Sequence, residues 1–354
     1  MIKSHNYYLN LAFQQAEINL GKTNKNPSVG CIIVKNNSVI SSAVTSINGR
    51  PHAEFNALKD LKDCSGASLY TTLEPCAHYG KTPPCTNIII KRKIKNVFYA
   101  FEDPDTRTFK KAKKILSDKG IKTKLIKTKN YIDFYKSYFI NKRFSIPFIS
   151  AKVAISKDYL TINKKEKWIT NETSRNVVHL LRNKHDCILS TSKTINNDDS
   201  LLNCRIEGLN NYKQDLFIVD LNLKLKKKLS LLKLIRKRKT FLITMKRNQA
   251  QALSYKKMGY KMIFINSLSN KQDFLSLYKK IYKLGYSRVF IETGLIFLET
   301  LIKNNLINNL YLFKSNYKLK KNGTNNISPN FLKKIKFKSI PANLINDKLY
   351  VKEF

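Results

Sequence analysis

The sequence has few of the residues that mark several common classes of protein. Its 354 residues include 11 glycines and 9 prolines, too few for a collagen-like or low-complexity chain, and 6 cysteines, too few for a disulfide scaffold. Acidic residues are also scarce, with 24 against 66 lysines and arginines. No apolar run is long enough to span a bilayer, and polar side chains interrupt the first twenty residues. We therefore expect neither a membrane span nor a signal peptide.

What remains is the composition of a folded, strongly basic chain. Apolar residues make up 42% of the sequence, enough to form buried cores, and its length favours two domains. The net charge of +42 could indicate a polyanionic partner. Lysine and asparagine are instead spread through every segment, which favours compositional drift over a nucleic-acid face. We expect no nucleic-acid or membrane partner, and a cytoplasmic protein whose thiols are free to bind metal.

The residue pattern predicts alternating helices and strands, and hence layered α/β sheets. In the first part, helices are expected at residues 7–20, 53–61, 109–118 and from Pro84 to residue 90, and strands at 29–35, 67–73, 96–101 and 121–126. In the second part, the expected strands are 148–155, 186–190, 216–220, 240–244, 261–265 and 288–291, with a helix at 172–182.

Two segments bear on the organisation of the chain. A short basic connector is expected at residues 142–147, which divides the chain into domains 1–145 and 146–354. The stretch 223–239 is rich in lysine and leucine and is interpreted as a solvated edge of a sheet rather than a surface for an anionic partner.

The most specific local signal is His52-Ala53-Glu54, followed by Pro75-Cys76 and by Cys85. One imidazole and two thiolates leave a tetrahedral zinc ion with a fourth position for water, as a catalytic zinc requires. Zinc makes that water acidic enough to supply hydroxide near neutral pH. Glu54 lies two residues beyond the histidine and is free to move a proton from the water to a leaving amine. Zinc-dependent base deaminases carry the same pattern.

The alternatives to a catalytic zinc are a closed structural zinc site or ordinary buried thiols. A closed site needs a fourth protein ligand, for which His78 is the local candidate. The glutamate beside the histidine and the proline before the first cysteine have no role in either alternative. The pattern therefore favours catalysis.

The spacing of the cysteines separates classes of deaminase. Deaminases that act on nucleic acids and nucleosides usually place two residues between them, whereas eight residues separate Cys76 from Cys85. Together with residues 26–31, 72–76 and 103–104, this spacing closely resembles the RibD family, the bifunctional deaminase/reductase of bacterial riboflavin biosynthesis. The resemblance runs from about residue 6 to at least residue 301 and is more specific in the first domain.

The resemblance implies a cytidine-deaminase-like α/β/α layered domain followed by a dihydrofolate-reductase-like α/β domain. The first would deaminate 2,5-diamino-6-ribosylamino-4(3H)-pyrimidinone 5′-phosphate. The second would use NADPH to reduce the ribosyl group, giving 5-amino-6-ribitylamino-uracil 5′-phosphate. Family members are commonly dimers or tetramers, which implies a homo-oligomer acting on a small phosphorylated pyrimidine.

For the first domain, the resemblance implies that one zinc ion is held by His52, Cys76 and Cys85 and that Glu54 shuttles protons. Around the substrate it implies Asn26, His78, Lys81 and Asp103.

For the second domain, the resemblance implies that the substrate contacts Arg182, Leu202, Arg205 and Glu292. The two arginines suit a phosphate because each presents a fork of N–H donors. The resemblance implies that NADPH contacts Ala154, Trp168, Thr194, Asp198, Gly294, Leu295, Ile296, Phe297, Leu298, Glu299 and Thr300. Backbone amides after Gly294 would hold the cofactor diphosphate at the start of a helix.

Both halves depart from the family pattern, the second more than the first. In the first half, Ala43-Val44-Thr45 replaces a Gly-aromatic-His segment, Asp105 replaces an asparagine, and Lys110-Lys111-Ala112 replaces a Gly-x-Gly. In the second half, the departures are Glu166 for serine, Tyr159 for glycine, Ser200 for proline and Leu221 for serine. A negative charge at Glu166 opposes a phosphate-bearing substrate.

Three functions are therefore weighed. The residues favour the bifunctional enzyme. The first alternative is a deaminase with a degenerate reductase domain, which would not bind NADPH. The least favoured is a nucleic-acid-editing zinc deaminase, which would show salt-sensitive RNA affinity and for which only the charge speaks.

Overall fold

The chain divides into two compact units, each with its own hydrophobic core. The structure, a computed structural model, describes residues 4–128, 131–211, 213–327 and 330–354. The first unit is Met1–Ser145 and the second is Ile146–Phe354. The largest buried apolar clusters lie around the central strands of each unit.

The first unit is built on a mixed five-stranded sheet. Its strands are β1 (Gly30–Lys35), β2 (Ser38–Val44), β3 (Ser68–Leu73), β4 (Asn96–Phe101) and β5 (Lys122–Leu125). Its helices are α1 (His5–Ile18), α2 (Ala53–Leu58), α3 (Cys85–Lys91), α4 (Lys111–Ser117) and α5 (Ile132–Phe144). In the order β2-β1-β3-β4-β5, β1 is antiparallel to both neighbours and β3, β4 and β5 are parallel.

A close contact between α1 and β1 sets the packing of the first unit. The Ser4 side chain caps α1 by accepting from the Tyr7 amide, and the helix buries Leu9, Phe13 and neighbouring alanines. A Cβ at Gly30 would lie 1.8 Å from the Ala12 carbonyl oxygen, so only glycine allows the helix to approach the strand this closely. The strand it covers pairs with β3, whose carboxyl end leads to Cys76.

The second unit is built on a nine-stranded sheet. Nine strands form this sheet: β6 (Phe148–Ile155), β8 (Cys187–Thr191), β9 (Asp215–Val219), β10 (Thr240–Met245), β11 (Lys261–Ile265), β12 (Arg288–Glu292), β13 (Asn309–Lys314), β15 (Lys338–Ile340) and β16 (Lys348–Glu353). The unit also contains the short strands β7 (Ile162–Asn163) and β14 (Gly323–Thr324). Its helices are α6 (Glu172–Asn183), α7 (Ser192–Asp198), α8 (Ala252–Lys257), α9 (Lys271–Lys283), α10 (Leu295–Lys303) and α11 (Asn330–Lys333).

The order of the large sheet is β11-β10-β9-β8-β12-β6-β13-β16-β15. The strands from β11 to β13 are parallel, and β16 is antiparallel to both of its neighbours. Strands β7 and β14 form a separate antiparallel pair. Because the carboxyl ends of parallel strands meet at one edge, the residues that follow β8 and β12 lie near one another, as a cofactor site of this type requires.

Each strand predicted from the sequence is present with ends within one residue of the prediction, because short apolar runs suit buried strands. No prediction was made for the following elements: β2, β7, β13, β14, β15, β16, α5 and α11. The predicted connector at residues 142–147 was wrong over its first half, where α5 continues to Phe144. The predicted solvated edge at residues 223–239 was also wrong, since four of its leucines are buried: Leu225, Leu229, Leu231 and Leu234.

Candidate active sites

Three local structures bring the predicted zinc ligands together in the first unit. His52 is the cap residue before α2, Cys76 lies three residues beyond the end of β3, and Cys85 begins α3. His52 Nδ1 lies 3.5 Å from the Sγ atoms of both Cys76 and Cys85. All three ligand atoms lie within 4.8 Å of one another.

The distances among these atoms fit a tetrahedral zinc ion. With Zn–N of about 2.0 Å and Zn–S of about 2.3 Å, tetrahedral angles place nitrogen and sulfur about 3.5 Å apart, the separation observed here. A hydrogen bond from the Cys85 thiol, opposed by burial, lowers the pKa of Cys76. That shift favours the thiolate, which is the form that binds metal.

His78 does not join the cluster of His52, Cys76 and Cys85. Its Nδ1 lies 2.9 Å from Thr108 Oγ1. In the part of the chain that the structure describes, no fourth histidine, cysteine or carboxylate belongs to the cluster. His52 and Cys76 also line a pocket, so the geometry fits a metal with an accessible position better than a closed structural site.

Glu54 lies in the first turn of α2, two residues after His52, and is 4% exposed. Thr71 donates a hydrogen bond to Glu54 Oε1 at 3.3 Å. Burial raises the pKa of the Glu54 carboxyl, and the His52 imidazole acts against that shift. Glu54 lines the same pocket as His52 and Cys76, so its carboxylate can contact a ligand bound there.

The predicted substrate residues divide into two groups. Asn26, His78 and Asp103 line the same pocket as Glu54, whereas Lys81 is exposed and does not line it. Asn26 donates its amide to the Gly49 carbonyl at 2.8 Å. Burial raises the pKa of Asp103, and bonds from the Asp105 amide and the Tyr138 hydroxyl oppose that shift.

Glu74 holds the segment that carries Asp103, a role the sequence analysis did not identify. Its buried carboxylate accepts the backbone N–H groups of Asp103, Lys110 and Ala112 at 3.1–3.3 Å. Lys110, at the start of the segment where the family has Gly-x-Gly, adopts φ +58°. A lysine in this left-handed region is strained by roughly 1–2 kcal/mol. The three hydrogen bonds from backbone N–H groups to the Glu74 carboxylate hold the segment in place.

A group of charged residues in the pocket was also missed. Asp105 lies 2.6 Å from Arg107 Nη2 and 2.8 Å from Lys142 Nζ. Arg50 lines the pocket as well, and its Nη1 donates to Thr82 Oγ1 at 2.5 Å. The sequence offered one signal, the aspartate at a position where the family has asparagine; its partner Lys142 lies 37 residues away.

In the second unit, the predicted substrate residues Arg182 and Glu292 bind each other. Arg182 Nε and Nη2 donate to the two carboxylate oxygens of Glu292 at 2.5 and 3.0 Å. Lys152 Nζ lies 3.4 Å from the same carboxylate. Although burial would raise it, the charges of Arg182 and Lys152 lower the pKa of Glu292 to about 2. The fork of Arg182 that was predicted to face a phosphate is therefore engaged by Glu292.

The segment that contains Leu202 and Arg205 is fixed from two sides. Arg182 Nη1 donates to the Asn203 carbonyl at 2.9 Å, and Arg238 donates to the carbonyls of Leu201 and Leu202. Leu202 is buried at φ +46°, whereas Arg205 is exposed. Arg205 is thus a predicted phosphate donor whose guanidinium reaches solvent.

The turn between β12 and α10 fits a cofactor diphosphate. Gly294 caps α10, its amide donates to Thr194 Oγ1 at 3.2 Å, and the Thr293 hydroxyl is buried without a partner among the described residues. Leu295 and Leu298 are buried in the core, so these two residues can meet a ligand only through their backbone groups. Ile296, Phe297, Glu299 and Thr300 lie on the same helix.

The other predicted cofactor residues lie on separate elements. Ala154 is on β6, Thr194 and Asp198 are on α7, and Trp168 is 48% exposed with the Arg175 guanidinium 4.8 Å from its ring. Partial desolvation raises the pKa of Asp198, while the charges of Lys152 and Lys167 oppose the shift. Asp198 is thus near enough to Lys152 and Glu292 to feel their charges.

The departures from the family pattern have different consequences in the second unit. Glu166 is exposed, and its backbone N–H donates a hydrogen bond to Asn163 Oδ1. Tyr159 adopts φ +64°, a conformation that favours the glycine of the family, and the Lys314 ammonium lies 4.1 Å from its ring. The Leu221 carbonyl accepts the Asn248 side-chain amide at 2.7 Å, so this residue supports its loop through the backbone. Ser200 is partly buried after α7.

Of the helices that the structure describes, none has both the length and the apolar character needed to cross a membrane. Two family models match the chain. The model for the cytidine and deoxycytidylate deaminase zinc-binding region matches residues 2–101, which include His52, Glu54, Cys76 and Cys85. The model for the RibD C-terminal domain matches residues 147–317.

Individual relatives match both units at once. The riboflavin biosynthesis protein RibD of Buchnera aphidicola is 33% identical over 324 residues, which cover 87% of this chain and 86% of that protein. The RibD of Aquifex aeolicus is 29% identical and covers 86% and 85% of the two chains.

Solved structures give the same result for the fold. One crystal form of Acinetobacter baumannii RibD superposes with a TM-score of 0.84 at 25% identity and covers 99% of both chains. A Thermotoga maritima diaminohydroxyphosphoribosylaminopyrimidine deaminase/5-amino-6-(5-phosphoribosylamino)uracil reductase gives 0.79 at 23% identity, covering 99% of this chain and 98% of that one. On the two family models and the relatives that span both units, the chain belongs to the RibD family, the zinc-dependent deaminases and NADPH-dependent reductases of riboflavin biosynthesis.

Proposed function

We propose that the first unit deaminates 2,5-diamino-6-ribosylamino-4(3H)-pyrimidinone 5′-phosphate, with Glu54 as the proton carrier and His52, Cys76 and Cys85 as the zinc ligands. The observation that carries this proposal is the buried Glu54 carboxyl, which lines the same pocket as two of the three ligands. When bound there, zinc acts as a Lewis acid that makes water acidic.

The protein groups would act in the following way. Glu54 takes a proton from the attacking water and returns it to the departing amine, and its raised pKa makes its carboxylate a stronger base for the first transfer. Asn26 and Asp103 present polar atoms to the same pocket and suit the polar edge of a pyrimidine. His78 keeps Nε2 for the substrate, since its Nδ1 is bound to Thr108.

We propose that the second unit reduces the ribosyl group of the deaminated product to ribityl. NADPH supplies the hydride when bound. In this proposal, Thr194 and the backbone amides after Gly294 hold the diphosphate. The Arg182–Glu292 pair and Lys152 form a cluster of charged side chains near Asp198. Arg205 takes the substrate phosphate in this proposal, because Glu292 occupies the fork of Arg182.

One assay tests both halves of the proposal. The purified chain receives the diaminopyrimidine ribotide and NADPH, and ammonia and NADPH absorbance are followed separately. We expect ammonia to appear first and NADPH oxidation to follow. Ammonia without NADPH oxidation would mean that the second unit is degenerate. NADPH oxidation only on added deaminated intermediate, with no ammonia from the zinc-loaded protein, would contradict the deaminase proposal.

The Asp198→Ala variant tests the reductase site directly. It is expected to abolish NADPH oxidation on the deaminated intermediate and to leave ammonia release unchanged. Equal oxidation rates in variant and parent would remove Asp198 from the reductase site.

We also propose that the enzyme is a cytoplasmic homo-oligomer. The family resemblance suggests the assembly. All six cysteines are free, which suits a reducing compartment; two of them, Cys76 and Cys85, belong to the metal cluster, and Cys31 lies on β1. Light scattering of the purified protein would give its mass; a monomer at micromolar concentration would contradict the oligomer.

A further inference from the structure

The deaminase substrate carries a phosphate, and several cations near the pocket could bind it. Arg50, Arg107 and Lys142 line the pocket. Lys81, which the family resemblance implies, is exposed and outside the lining. The charge environment of each cation decides which one is available.

Arg107 and Lys142 are already paired with a carboxylate. Arg107 binds both oxygens of Asp105, with Nε–Oδ1 at 2.9 Å and Nη2–Oδ2 at 2.6 Å, and Lys142 Nζ lies 2.8 Å from Oδ2. The Arg107 and Lys142 bonds lower the pKa of Asp105 despite its partial burial, so the aspartate stays ionised. A phosphate would have to compete with this aspartate for both cations.

Arg50 has no such competitor, since no described carboxylate forms an ion pair with it. Its Nη1 donates to the Thr82 hydroxyl at 2.5 Å, a neutral partner that orients the guanidinium and leaves its charge uncompensated. A Cβ built on Gly80 would lie 3.4 Å from Arg50 Nη2 and 3.9 Å from His78 Nε2. The two nitrogens therefore lie within 4 Å of the position that a side chain at residue 80 would occupy, and glycine leaves that position free.

We propose that Arg50, with His78 Nε2 beside it, binds the 5′-phosphate of the deaminase substrate and sets the preference of the pocket for a phosphorylated pyrimidine. This inference rests on the proposed function and names its phosphate-binding residue. Thr82, which orients the guanidinium, lies in the eight-residue spacer between Cys76 and Cys85, as do the nearby His78 and Gly80. The long spacer thus joins the metal ligands to the phosphate subsite.

The test compares the phosphorylated substrate with its dephosphorylated riboside in full-length, zinc-loaded protein, using ammonia release as the readout. In Arg50→Gln, KM for the ribotide should rise about tenfold or more, because a charge-assisted hydrogen bond is lost, with little change in kcat. KM for the riboside should stay unchanged, so the preference for phosphate falls. Arg50→Lys should recover part of it, since lysine keeps the charge but not the fork. Inorganic phosphate should inhibit the parent more strongly than Arg50→Gln.

The matched control is Arg143→Gln, which removes an exposed arginine at the end of α5 outside the pocket and should leave both KM values unchanged. Zinc content is measured in each variant, because Arg50 lies two residues before His52. An equal loss with both substrates in zinc-loaded Arg50→Gln would overturn the proposal, as would an unchanged KM for the ribotide. If the parent deaminates neither substrate, the proposed function fails instead.

Discussion

The two active sites of this chain are assembled in different ways. In the first unit, the proposed metal ligands and proton carrier lie within 34 residues, between His52 and Cys85, and adjacent turns bring them together. In the second unit, Arg182 meets Glu292 across 110 residues, and further groups come from β6, α7 and α10. The first site is a compact local motif, whereas the second is formed by side chains that are far apart in the sequence.

The difference accounts for where the sequence has drifted. A zinc site needs particular donor atoms at fixed separations, so a changed ligand removes the site. The second site is held partly through backbone groups, which survive a change of side chain. Leu221 illustrates this, because its carbonyl still accepts Asn248 although the family serine is absent. The fold of the second unit therefore tolerates a substitution at such a position.

The largest effect is expected from Glu54→Gln. Ammonia release should fall by about 10²–10⁴-fold, the usual contribution of a general acid–base group, while NADPH oxidation on added deaminated intermediate stays at the parent rate. Zinc content, measured by elemental analysis, should stay at one ion per chain. A parallel fall of both activities would mean that the two sites are not independent.

The next effect is on stability. Arg182→Leu leaves the buried Glu292 carboxylate with Lys152 as its remaining cation, which should lower the free energy of unfolding by about 3–5 kcal/mol. Urea unfolding of the full chain, followed by a probe in the second unit such as Trp168 fluorescence, measures it. Lys303→Gln breaks the exposed Glu299–Lys303 pair and serves as the control, with an expected loss below about 0.5 kcal/mol. Similar losses in both variants would show that the buried pair has no special weight.

The pH dependence of the same carboxyl gives a somewhat smaller effect. The pKa of Glu292 is about 2 in the folded protein, against about 4.3 in an unfolded chain. A lowered pKa means that the stabilisation is complete above about pH 4.3 and is lost as the pH falls towards 2, a loss of about 3 kcal/mol. The free energy of unfolding of the parent should therefore fall more steeply as the pH is lowered over this range than that of Glu292→Gln. Parallel curves would contradict the assignment.

Local signals in the sequence were enough to predict the buried strands and the side chains that the structure brings together in the His52–Cys76–Cys85 cluster. They did not predict β2, because that strand is mostly exposed and has no apolar run. Helix α5 was also missed, since much of the face it buries consists of polar or hydroxylated side chains: Tyr135, Ser137, Tyr138 and Asn141. An apolar stripe, the usual signal of a packed helix, is absent there.

The charge arrangement could not be predicted for a different reason. Whether Arg50, Arg107 or Lys142 is available to a phosphate depends on which of them Asp105 pairs with, and that is a tertiary contact. In the same way, nothing near Arg182 in the sequence indicates that Glu292 occupies its fork. Residue identity fixed the candidates, and only the folded positions decide among them.

The smallest effect is expected from Glu166→Ser, which restores the family residue and probes the drift directly. Glu166 is exposed two residues before Trp168, so its repulsion of a substrate phosphate acts through solvent and amounts to about 0.2–1 kcal/mol, or up to a few-fold in KM. In steady-state NADPH oxidation, KM for the deaminated ribotide should fall by that factor with kcat unchanged, and the effect should shrink at high salt. Glu172→Ser, an exposed change in the first turn of α6, is the control for charge at a distance. An equal fall in both variants would mean that net charge, rather than the position of Glu166, weakens binding at the second site.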